Sequence, residues 1–152
     1  MIKLTASTTA DLHLWLHFLT QANEGISMNL MSVRRPTHML FSDACPGGLG
    51  GYSVTIGLAW QFNLAGLNID PRVSNNLLEI IGAVVQIWFT IAFDPDCPPL
   101  SCLLAWTDNS SGAGWLHKSN FDEPGDRLHD AIARKFATVL LDHSCMVFPQ
   151  HI

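Results

Sequence analysis

Charge is scarce in this chain. Asp, Glu, Lys and Arg make up 14% of its 152 residues, hydrophobic residues make up 48%, and the net charge is -5. That balance excludes a disordered tail, which is rich in charge and poor in apolar residues. It also argues against the broad basic face of most nucleic-acid binders and leaves room only for a small basic patch. The few charges hint that some apolar surface is covered by a partner or by further sequence. Cysteine is sparse and unpatterned: Cys45, Cys97, Cys102 and Cys145 form no CxxC pair and no zinc-finger spacing. The thiols therefore read as reduced and mostly buried, in an intracellular protein. Nothing in the sequence orients a histidine toward Cys45, so a thiol enzyme finds no support. A secretory start is missing as well; the N-terminus has no basic start, apolar stretch and small-residue cleavage site. The longest apolar run, Leu77 to Phe93, holds Glu79 and Gln86. It falls short of the roughly 20 residues that span a bilayer, so it reads as a core helix. His13 and His17 stand one helical turn apart without the Glu of an HExxH motif, and read as a helix-surface pair. There is no internal repeat and no low-complexity segment.

What is present fits one domain, or one domain with an appendage, with a core of useful size. Thr9 to Ala22 reads as a helix, with Leu12, Trp15, Leu16 and Leu19 at helical spacing. Residues 26–37 read as a connector whose most basic point is Arg34-Arg35-Pro36. The pattern then changes. His38–Ala44, Gly51–Ile56 and Leu58–Leu64 read as three antiparallel strands, with turns at Pro46-Gly47-Gly48 and Gly57. A helix follows, capped by Ser74 or Asn75 and ending near Phe93. Ser101–Thr107 reads as a strand, Ser110–Lys118 and Arg127–Leu141 as helices, and Cys145–Phe148 as the start of a last strand. Three antiparallel strands followed by α-β alternation imply an α/β fold: a mixed five-stranded sheet flanked by helices.

Three isolated acidic residues stand out: Asp43 in HMLFSDACPGGLGGYS, Glu79 in SNNLLEIIGAVVQIW and Asp108 in SCLLAWTDNSSGAGWL. Carboxylates are rarely buried unless paired or bound to a metal, and each of these is wrapped in apolar sequence. Asp43 falls near the end of the first strand, Glu79 in the first turn of the long helix and Asp108 at the end of the fourth strand. If strands one and four are neighbours, the two Asp residues meet at one edge. Glu79, Gly82, Ala83 and Gln86 form a stripe of mostly small residues that lets the helix lie close enough for Glu79 to join them. Such a set suits Mg²⁺ or Mn²⁺. Two ions about 4 Å apart would serve phosphodiester hydrolysis. Plainer roles exist for each: a turn for Asp43, the helix dipole for Glu79, a helix cap for the Asp108-Asn109-Ser110 run. Trp60 and Trp106, in strands, read as core; Trp115 is open to either packing or base stacking.

The motifs FSDACPGGLGGYS, SNNLLEIIG and WTDNSSGAGWL resemble the ribonuclease H-like domain that follows reverse transcriptase in retroelement polyproteins, and are similar to cellular ribonuclease H. The resemblance covers about residues 38–152. It divides the chain into residues 1–35, similar to a polymerase–nuclease connection, and residues 36–152, the ribonuclease H-like domain. It implies that Asp43, Glu79 and Asp108 hold two Mg²⁺ ions and hydrolyse the RNA strand of an RNA–DNA hybrid. It also implies that Asn75 and Asn76, with Ser110, contact that hybrid. Asn can donate and accept toward a 2′-hydroxyl, the group that marks RNA. The implied partners are the hybrid and a polymerase segment of the same polyprotein, with no membrane.

The family carries a fourth acidic residue on a helix after the last strand, in a run like Ala-Asp-x-Leu-Ser-Arg. No such run precedes Ile152, and Asp130 and Asp142 lie on the preceding helix. The expectation is a fold without its final helix, a weak second metal site and some exposed apolar surface. A non-catalytic tether associated with a reverse transcriptase is the alternative.

Overall fold

The computed structural model describes residues 4–25, 35–71, 73–94, 97, 101–118 and 127–152. Most of the 26–37 connector and the segment 119–126 between the two helices read at 110–118 and 127–141 lie outside them. The order is α1 (Ala6–Gly25), β1 (His38–Cys45), β2 (Gly48–Ser53), β3 (Leu58–Asn63), α2 (Asn75–Phe93), β4 (Cys102–Thr107), α3 (Ser110–Lys118), α4 (Arg127–Asp142) and β5 (Met146–His151). The strands form one five-stranded sheet in the order β3-β2-β1-β4-β5. β1, β2 and β3 pair antiparallel, and β1, β4 and β5 pair parallel. The protein is therefore α/β with a mixed sheet flanked by helices.

Several boundaries differ from the sequence reading, each for a local reason. α1 starts three residues earlier than Thr9, because the Thr5 hydroxyl accepts the Thr8 N–H (3.1 Å) and caps the helix there. β2 begins at Gly48 rather than Gly51: Pro46-Gly47 is a two-residue turn, so Cys45 already pairs with Gly48. The β-branched run Val54-Thr55-Ile56, read as strand, belongs to the turn before Gly57. Ser53 pairs directly with Leu58, and the Thr55 hydroxyl instead accepts the Met39 N–H (3.0 Å). β5 runs on past Phe148 through Pro149 to His151, pairing with β4 throughout. A proline is tolerated there because β5 is an edge strand.

Leu40 and Leu103, neighbours on one sheet face, share a core with Ile80, Ala83 and Ile87 of α2, Trp115 and Leu116 of α3, and Phe136 and Val139 of α4. Trp115 is thus the most deeply packed tryptophan, only 3% exposed. A smaller cluster joins Ala44, Leu49 and Leu78. All of these helices gather on one face. The other face carries Met39, Phe41, Tyr52, Leu104 and Trp106, all at least partly exposed. The apolar stripe of α1 is also left open: Leu12, Trp15, Leu16 and Leu19 are exposed. Leu14 and Phe18, with one side of Trp15, line a groove against Ala137, Leu140 and Leu141 of α4. Arg134 fastens the two helices through Asp11 (2.7 Å) and Ser7, and His17 does so through Asp142 (2.8 Å).

α2 has the length and apolarity of a membrane span, yet ten of its residues are buried, as expected of a core helix. Its small-residue stripe sets its distance from the sheet. Gly82 passes over the Asp43 carbonyl, and any side chain at Gly51 would run into Gln86 Oε1 and the Phe41 carbonyl. Gln86 accepts the Trp60 indole N–H (2.6 Å) and donates to Thr90 (2.9 Å), which ties α2 to β3.

Candidate functional site

β1 and β4 run parallel, so Asp43, near the end of β1, and Asp108, just past β4, emerge at the same end of the sheet. α2 starts at that end and brings Glu79 to them. One carboxylate oxygen from each of Asp43, Glu79 and Asp108 lies within 4.8 Å of the others. Asp43 and Asp108 are exposed, whereas Glu79 is 4% exposed and its Oε2 has no hydrogen-bond partner. Burial pushes the Glu79 carboxyl up to about 7, the Asp43 and Asp108 charges add to the rise, and a backbone hydrogen bond from Ala44 opposes it. A buried carboxylate beside two others is unfavourable unless something positive offsets them.

The simpler roles weighed for these residues fall to others. Glu79 is the fifth residue of α2, beyond the first turn, so it does not serve the helix dipole. Ser74 caps α2, its hydroxyl accepting the Leu77 N–H (3.2 Å). That frees both Asn75 and Asn76 from capping, and both are exposed. Asn109 caps α3 by accepting the Gly112 N–H (2.7 Å), which frees Asp108. Ser110, the first residue of α3, is exposed on the same side. Asp43 does take a local bond, accepting the Ala44 N–H (2.8 Å).

Neither Asp130 nor Asp142 joins the cluster. Asp130 lies 3.8 Å from Arg134, and Asp142 is bound to His17. Three neighbours of the site escaped the sequence reading. Asn109 also donates to Asn76 Oδ1 (3.0 Å), bridging the starts of α2 and α3. His151 Nε2 donates to the Asp108 carbonyl (3.0 Å). Tyr52 stacks on Phe41 (ring centroids 4.7 Å apart, 6° between planes), and Phe41 stacks in turn on Trp106. Only the strand pairing brings these together, and no local spacing marks them. Phe41, Tyr52, Gly50 and Gly51 join Asp43, Asp108 and Ile152 around a groove of about 330 Å³ that opens beside the carboxylates.

The arrangement can hold a cation: it offers hard oxygen donors, open on one side and backed by a buried oxygen without a partner. Set against family models, curated proteins and solved structures, the chain matches none of them.

Proposed function

We propose that this chain is a ribonuclease H-like nuclease domain of a retroelement polyprotein that hydrolyses the RNA strand of RNA–DNA hybrids with Mg²⁺ or Mn²⁺. The observation that carries the reading is the convergence of Asp43, Glu79 and Asp108 around the unpartnered Glu79 oxygen. The strand–helix–strand order of these residues and the sheet order β3-β2-β1-β4-β5 support it. Bound divalent ions would activate a water and stabilise the leaving oxygen of a phosphodiester. Asp43 and Asp108, being exposed, are the carboxylates placed to share an ion with substrate. Glu79 anchors the ion from the core side. Asn75, Asn76 and Ser110 line the approach and hydrogen-bond the hybrid, reading its 2′-hydroxyls. The Phe41–Tyr52 stack offers an apolar floor to a sugar or base.

The test is cleavage of an end-labelled hybrid with Mg²⁺ or Mn²⁺, with the RNA strand expected to be cut and single-stranded DNA left whole. Asp43→Asn should abolish the cut; equal cleavage by that variant sinks the mechanism. A second reading, a non-catalytic tether beside a reverse transcriptase, is favoured by the exposed Leu12-Trp15-Leu16-Leu19 stripe and the net charge of -5. Under it, neither Mg²⁺ nor Mn²⁺ would raise the melting temperature.

A further inference from the structure

A second set of ligand-type side chains sits at the far end of α2. His38 opens β1, Asp94 caps the C-terminus of α2, and Cys97 follows in the next segment. One ligand atom from each lies within 4.8 Å of the other two. Cys145, just before β5, is in hydrogen-bond contact with the Cys97 thiol. Most of the set is enclosed: the side chains of His38 and Asp94 are 4% and 10% exposed and Cys145 is 1% exposed, while Cys97 is partly exposed.

The surrounding hydrogen bonds fix how the imidazole faces its partners. Thr37 Oγ1 accepts the Cys102 N–H (3.0 Å) and has one proton to give, with the Cys102 carbonyl (3.0 Å) and His38 Nδ1 (2.8 Å) both in reach. The Cys102 carbonyl already accepts the Thr37 N–H (2.8 Å), so the hydroxyl is available to donate to Nδ1. Nε2 lies 2.6 Å from Asp94 Oδ2, a hydrogen bond in which the ring nitrogen donates to the carboxylate. A metal ion entering here would displace that proton, and the Cys97 sulfur already lies within 4.8 Å of the other two ligand atoms. The two thiols beside them favour the metal. An imidazole, a carboxylate and two sulfurs, drawn from four separate chain segments, are all ligand types that zinc takes.

We infer that His38, Asp94, Cys97 and Cys145 form a structural zinc site, distinct from the carboxylate cluster and independent of the nuclease reading. Zinc bond lengths place ligand atoms about 3.3–3.8 Å apart. The His38–Asp94 contact thus opens by roughly 1 Å, and Cys145, which touches Cys97 but lies outside the 4.8 Å set, moves in to complete the tetrahedron. The outer shell is in place: Thr37 holds Nδ1, and Ser101 Oγ lies 3.5 Å from the Cys97 sulfur. Coordination takes the protons of both thiols into solution and would stitch the start of β1, the end of α2 and the approach to β5 together.

The experiment uses the whole chain, purified under reducing conditions without chelator. Elemental analysis should find about one zinc per chain. The zinc should persist in Asp43→Asn/Asp108→Asn and fall at least about tenfold in Cys97→Ser/Cys145→Ala. Cobalt exchanged into the unsubstituted protein should give a sulfur-to-cobalt charge-transfer band, a readout that needs no variant to fold. A chelator should lower the melting temperature of the unsubstituted protein. Zinc content equal to that of the double cysteine variant, a cobalt spectrum without the sulfur band, or a Cys97–Cys145 disulfide in the reduced preparation would each overturn the proposal.

Discussion

The two ends of α2 hold side chains of opposite character. At its start, Asp43, Glu79 and Asp108 offer only oxygen, two of the three are exposed, and one buried oxygen has no partner. At its end, His38, Asp94, Cys97 and Cys145 offer nitrogen, oxygen and sulfur, and the pair of shortest contact is enclosed. Open oxygen sites keep room for water and substrate, whereas closed mixed sites hold a fold together. The parallel pairing of β1 and β4 produces this division. It sends the two strand starts to one end and the two strand ends to the other, and ligand sites in such sheets favour the ends.

The largest expected effect separates the two ends by function. Asp43→Asn should lower metal-dependent hybrid cleavage by about a thousandfold or more, the scale of losing a group that stabilises developing charge. Its zinc content should not change. Next comes a pH effect confined to the carboxylate end. Without metal, folded Glu79 keeps its proton up to about pH 7, while the unfolded chain releases it near 4.5. Between those values the folded state binds more protons, so stability should fall as pH rises through that window. The whole fall is about 3 kcal/mol. Denaturant titrations of metal-free protein across that range measure it, and Glu79→Gln should flatten the curve. Mg²⁺ displaces the proton, so its stabilising effect should grow as pH rises through 7.

Two smaller changes sharpen the contrast. Gly51→Ala should cost about 2 kcal/mol by forcing Gln86 and the Phe41 carbonyl away, the scale of overpacking a filled core. Because it lifts α2 as a whole, it should weaken metal binding at both ends. Asn109→Ala should cost about 1 kcal/mol by removing the α3 cap. It should weaken Mg²⁺ binding beside Asp108 and leave zinc untouched. Calorimetry with each metal distinguishes the two variants.

The carboxylate cluster was legible in the sequence because an isolated Asp or Glu inside an apolar run is conspicuous wherever it stands. Bringing the three together needed only the neighbouring of β1 and β4, which the α-β alternation suggested. The second cluster had no such mark: its residues, 38, 94, 97 and 145, are scattered, and absent CxxC spacing argued against a metal there. The reading of mostly buried thiols holds for Cys102 and Cys145 but not for Cys45, which is exposed beside the Pro46-Gly47 turn. Among the elements, α3 was read to the residue, since Asn109 and Lys118 bracket it locally. The strand at 51–56 was misplaced because β-branched composition is a weaker guide than a two-residue turn, which fixes register from its own position. The role of α1's stripe was also hidden: helical spacing reveals that a helix has an apolar face, not which neighbour meets it.

α2 finally sets how the two ends can influence one another. From Glu79 to Asp94 it rises roughly 22 Å at 1.5 Å per residue. Even at an effective dielectric of about 20, two unit charges that far apart interact by less than about 1 kcal/mol. Neither cluster therefore senses the other's charge to a useful degree. Any communication between them is mechanical, carried as tilt or slide of a single rod that Gly51, Gly82 and Gln86 press against the sheet.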